Sequence, residues 1–106
     1  MGKEASQGEA LMAQAAKKAA GGGGFASMFG SSATTRAEEA GELYIQASNA
    51  FRAEQRYKDS GDAAVRAAEC ALKANEPHDA SNHFWTASKA YKRTHPERPS
   101  VLERLA

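Results

Sequence analysis

Residues 40–52 read AGELYIQASNAFR, and residues 80–92 read ASNHFWTASKAYK. A shift of 40 places lays Ala40 on Ala80, Ala47 on Ala87, Ser48 on Ser88 and Ala50 on Ala90. The same shift pairs Tyr44 with Phe84, Phe51 with Tyr91 and Arg52 with Lys92. Chance likeness between two Ala-rich helices would reproduce the alanines. It would not also exchange aromatic for aromatic and base for base. A fixed period of this size marks stacked supersecondary units, each unable to bury its apolar face alone. Within each copy the apolar residues recur at spacings of three and four: Ala40, Leu43, Tyr44, Ala47, Ala50 and Phe51, then Ala80, Phe84, Ala87 and Tyr91. That is the stripe of an amphipathic helix.

The remaining segments follow outward from this pair. The spacing predicts helices over about 36–53, 57–74 and 77–93. The second of these carries Tyr57, Gly61, Ala64, Ala68 and Leu72 on one face, with Val65 beside it. Gly61 inside a helix asks for the close approach of a neighbour, and the preceding helix is the expected one. Thr35 with Glu38 has the form of a capping box, with Glu38 and Glu39 in the first turn. Asn75-Glu76-Pro77 breaks one helix and opens the next. Ahead of them, residues 4–20 are rich in helix formers, with Ala5, Met12, Ala16 and Ala19 as the apolar positions. Beyond His95-Pro96 and Pro99, Val101, Leu102 and Leu105 open a further pattern. The fold class is therefore all-α: antiparallel helix pairs in a tetratricopeptide-like, right-handed solenoid, incomplete at the C-terminus. It divides into an N-terminal helix (1–20), a Gly-rich apolar loop (21–34) and truncated helical repeats (35–106).

Composition excludes several classes. The chain has 106 residues, 14 Lys+Arg against 13 Asp+Glu, and a net charge of +1. That balance argues against nucleic acid as a general partner. One cysteine, Cys70, allows no intramolecular disulfide and reads as a small buried hydrophobe. No apolar run is long enough to span a bilayer, and Met1–Gln7 lacks the form of a signal peptide.

Catalytic constellations are not found. Gly21–Gly30 lacks the G-x4-G-K-[ST] pattern and follows no strand, so it does not read as a phosphate loop. His78 and His83 stand five apart, off the i, i+4 spacing of a helical zinc pair, and no metal or other cofactor is expected. Three other features bear on partners. Met1-Gly2-Lys-Glu-Ala-Ser6 fits the permissive N-myristoylation pattern, with Gly2 as acceptor. Phe25, Met28 and Phe29 stand between glycine-rich stretches, where they either plug a groove between helices or enter a lipid interface. Lys89, Lys92, Arg93 and Arg98 gather late in the chain. They either offset the negative end of a helix or form a contact for an acidic partner.

Taken in order, these pieces resemble the N-terminal half of the soluble NSF-attachment protein family. The resemblance rests on Glu38-Glu39-Ala40 with Leu43, Tyr44, Ala47, Asn49 and Phe51, and on Tyr57, Gly61 and Ala63. It continues through His78-Asp79-Ala80 with Ala87, Ala90, Tyr91, Lys92, Arg93 and Pro96, preceded by Phe25, Met28, Phe29 and Gly30. It covers about residues 4–106. The resemblance implies a non-enzymatic adaptor that coats the SNARE complex and recruits the NSF ATPase in vesicular transport. It also implies a cytoplasmic protein in weak peripheral contact with membrane through the Phe25–Phe29 loop. Family members carry a second Phe where Gly24 stands, which implies a weaker anchor here. They also run longer and engage NSF through a C-terminal bundle, so the chain resembles a fragment. The alternative reading is a helical-repeat scaffold with no membrane role.

Overall fold

A computed structural model describes residues 5–21 and 32–94. Gly2, Phe25, Met28, Phe29, Arg98 and the pattern from Val101 lie outside the described residues. Four helices follow one another: α1 (Gln7–Ala19), α2 (Ala33–Ala53), α3 (Tyr57–Lys73) and α4 (Pro77–Thr94). Each packs chiefly on the next, α1 on α2, α2 on α3 and α3 on α4. Among the described residues there is no strand. This is the all-helical chain of consecutive hairpins that the repeat predicts.

The turns have the same build. After α2, the Gln55 amide donates to the Arg52 carbonyl (2.9 Å) and the Arg56 amide to the Phe51 carbonyl (2.8 Å). After α3, the Asn75 amide donates to Leu72 (3.0 Å) and the Glu76 amide to Ala71 (2.8 Å). Both are Schellman closures, with Gln55 at φ 64° and Asn75 at φ 62° in the left-handed region. The repeat thus has a sub-period of 20 residues, with the turns at 54–56 and 74–76 superposed. Gln55 gave no signal in the sequence because glycine or asparagine usually marks that position.

Helix starts differ from expectation in one case. Ser32, and not Thr35, caps α2: its Oγ accepts the Thr35 amide at 3.0 Å. Its hydroxyl donates to Thr35 Oγ1, also at 3.0 Å. The helix begins at Ala33, so Glu38 and Glu39 fall beyond the first turn and do not cap. At α1 a full capping box forms, the Glu9 amide donating to Ser6 Oγ and the Ser6 amide to Glu9 Oε1. The Ser6 backbone and the Arg56 guanidinium hold the Glu9 carboxyl below the usual carboxylate range.

The core is built of small side chains. Ala15, Ala37, Ala40, Tyr44, Ala67, Cys70 and Ala74 form one buried cluster, with Ala47, Phe51 and Ala63 forming a second. The buried face of α1 is Gly8 and Ala15 with Leu11 and Met12 half-buried, whereas Ala5, Ala16 and Ala19 are exposed. Alanine cores hold helices close, so backbone-level contacts replace large side chains. A Cβ on Gly41 of α2 would stand 3.3 Å from the Cys70 Cβ of α3. Lower on the same pair, Ser48 and Ser60 are both buried and exchange hydroxyls: each donates to the other's carbonyl at 2.9 Å. Every buried donor there has an acceptor, as a dry interface requires.

The aromatics Phe51 and Tyr91, one period apart, each fill the space over a glycine of the preceding helix. The ring of Phe51 on α2 lies where a Gly8 Cβ would be, 2.5 Å from that position. The ring of Tyr91 on α4 stands in the same relation to Gly61 on α3, also at 2.5 Å. Gly61 is therefore a close-approach glycine, as its place inside a helix suggested. Its partner is the following helix and not the preceding one. Tyr91 is fixed by donating its hydroxyl to Asp62 Oδ1 at 2.6 Å. Burial and that bond push its hydroxyl up to about 12.

An ion cluster ties α1 to the first turn of the repeat. Arg56 reaches Ser6 Oγ at 3.2 Å, Glu9 Oε2 at 3.1 Å and Asp59 Oδ2 at 2.9 Å. Its guanidinium also covers the Phe51 ring at 4.7 Å. Glu54 Oε2 accepts the Gly8 amide at 3.1 Å, satisfying one of the open donors of α1.

Candidate partner-binding surface

Lys92 and Arg93 stand in the last turn of α4, with Lys89 about one turn earlier, and Arg52 stands in the last turn of α2. Basic side chains belong there because the last carbonyls of a helix leave partial negative charge. Two short turns, with α3 between them, carry the chain from α2 to α4, so these two helices run in the same direction and their basic ends meet on one edge. A cup of about 230 Å³ forms between them, lined by Arg52, Ser60, Thr86, Lys89, Ala90 and Arg93. Arg52 is held by donating to Asn49 Oδ1 at 3.2 Å. The Arg93 guanidinium lies over the Tyr57 ring at 4.5 Å, and the Lys89 ammonium stands 5.8 Å from the Trp85 ring. Lys92 is exposed on α4 and does not line the cup. Of the basic residues singled out in the sequence, the structure brings Lys89 and Arg93 together and adds Arg52. The signal for Arg52 was its pairing with Lys92 in the 40-residue repeat.

The opposite end of the same face carries the other sign. A groove of about 530 Å³ runs between α2 and α4 over α3, and Glu38, Glu42, Glu76, Asp79 and His83 line it with Ile45. No Lys or Arg lines it. Contact with Glu38, then burial and Asp79, push the Glu76 carboxyl above the usual range. Burial pulls the His83 imidazole down, against the pull of Asp79. Reading Glu38 as a helix cap concealed this groove.

Several apolar residues assigned to buried stripes are open to solvent: Leu72 is 55% exposed, Phe84 43% and Tyr91 38%. Trp85 is 63% exposed. α3 covers one side of α4, and no described helix covers the other. Cys70 is buried, as read, and burial pushes its thiol up. The described residues hold no cluster of three or more metal-ligating side chains. No described helix is long and apolar enough to cross a membrane.

The described residues thus form consecutive helical hairpins with one face that is acidic at one end and basic at the other. The model of the soluble NSF attachment protein family matches residues 6–104, and the chain belongs to that family. Vesicular-fusion protein SEC17 of Komagataella phaffii is 40% identical over 87 residues, which is 82% of this chain and 29% of the relative. Human alpha-soluble NSF attachment protein is 36% identical over 97 residues, 91% of this chain and 32% of the relative. SEC17 of Coprinopsis cinerea is 49% identical over 92 residues, with 87% and 30% covered. The chain thus spans about three-tenths of the length of these relatives. No solved structure matches it significantly.

Proposed function

We propose that this chain acts as an adaptor of vesicular fusion that lays its α2–α4 face against an assembled SNARE complex. The observation that carries the reading is the basic cup, where Arg52, Lys89 and Arg93 converge from helices one repeat apart. Converging cations on a face built of rigid helices suit an acidic helical bundle, since complementary charge steers and orients such a partner. Membership in the attachment-protein family supports the same reading. Recruitment of the NSF ATPase we assign to the part of the relatives that this chain does not span. Phe25, Met28 and Phe29 would add a weak, reversible peripheral contact with membrane, with Gly2 as an acyl acceptor. At about 1.5–3 kcal/mol for each fully buried side chain, the loop is useful only when another contact already holds the protein near the bilayer.

Charge reversal tests this. Arg52→Glu with Lys89→Glu replaces two exposed cations and spares Arg93, whose guanidinium lies over Tyr57. Each reversal removes an attraction and adds a repulsion, at ~0.2–1 kcal/mol per exposed pair. The double variant is expected to bind an assembled SNARE bundle roughly tenfold more weakly, with its helical circular dichroism unchanged. Binding within about twofold of the unaltered chain would remove the basic cup from the contact.

A further inference from the structure

The charges of the α2–α4 face are ordered along it. Glu38 and Arg52 on α2 are 14 residues apart, and so are Asp79 and Arg93 on α4. At 1.5 Å per residue each pair spans about 21 Å. Fourteen residues also return to within roughly 40° of the same helix face. Acid and base therefore look out on one groove, acid at the N-terminal ends of both helices and base at the C-terminal ends. A uniformly acidic partner would be drawn to one end and repelled at the other. The crowding of Glu38, Glu76 and Asp79, which raises the Glu76 carboxyl, is relieved by a cation placed between them.

We infer that this groove takes a helical segment of its partner bearing two charge blocks. Lys or Arg lies over Glu38, Glu42, Glu76 and Asp79, and Asp or Glu lies over Arg52, Lys89 and Arg93 about four turns away. The groove thereby sets the direction in which the partner lies. The inference deepens the adaptor reading and rests on it for a helical partner with an acidic block.

The test uses two Ala-based helical peptides of equal length and equal number of charges. One carries a Lys block and a Glu block centred 14 residues apart, and the other carries Glu in both blocks. The 106-residue chain is expected to bind the two-block peptide roughly tenfold more tightly. Glu38→Lys with Glu42→Lys, both exposed positions, should reverse that preference while helicity stays unchanged. Equal binding of the two peptides, no binding of either, or a preference that survives the double variant would overturn the inference. Failure here is distinguishable from failure of the adaptor reading. It would leave the weakening of SNARE-bundle binding by Arg52→Glu with Lys89→Glu intact.

Discussion

Phe51→Ala is expected to destabilise the chain by about 3–5 kcal/mol, the usual cost of emptying a buried aromatic site. Phe51 is 3% exposed, and its ring serves four neighbours at once. It occupies the space over Gly8, packs against Ala47 and Ala63, and lies beneath the Arg56 guanidinium. An alanine core cannot collapse into such a gap, because its helices already touch near backbone level. The damage should be local first. Amide protection in α1 should vanish while α3 and α4 keep theirs, since α1 depends on this ring and on the Arg56 cluster. A urea unfolding series with hydrogen exchange reads both effects. A loss under about 1 kcal/mol with α1 still protected would show that Phe51 does not hold the first hairpin.

Gly61→Leu is expected to cost about 1–3 kcal/mol through overpacking. Its Cβ would fall 2.5 Å from the Tyr91 ring, so the ring must leave and its hydroxyl must abandon Asp62. Gly61→Ala separates packing from propensity. On an open helix face it would stabilise by about 0.8–1 kcal/mol. Here that gain is opposed by displacement of Tyr91, and the melting temperature should rise little or fall. Tyr91 is partly exposed and can swing outward, whereas Phe51 cannot, so Gly8→Ala should cost more than Gly61→Ala. If both Gly61 variants melted higher than the unaltered chain, the close approach of α3 and α4 would be refuted.

These contrasts show what a sequence of this kind carries. Helix positions, the 40-residue period and the need for a glycine at 61 are local or periodic, and they are legible. Which helix meets Gly61 is not, because a stripe identifies an apolar side without naming its neighbour. Leu72, Phe84 and Tyr91 failed for a related reason: amphipathicity does not say whether a further helix covers the face. Ser32 was hidden by the serine and glycine run around it, where Thr35 with Glu38 offered the more familiar pattern. Arg56 joins residues some 50 positions apart, Ser6 among them, and nothing local announces such a cluster. The groove is legible only in retrospect. Glu38 belongs to α2 and Glu76 to the turn that leads into α4, and it takes the parallel course of α2 and α4 to place their charges on one face.

The most direct test of an adaptor working through this face is a titration of a labelled, assembled SNARE bundle with the 106-residue chain at two ionic strengths. Screening shortens the reach of exposed charge from about 30 Å at 0.01 M salt to about 8 Å at 0.15 M. The expected result is saturable binding at low salt whose Kd rises by roughly tenfold or more on going to physiological salt. Absence of saturable binding at low salt, or a Kd that salt leaves unmoved, would contradict a contact made by Arg52, Lys89 and Arg93.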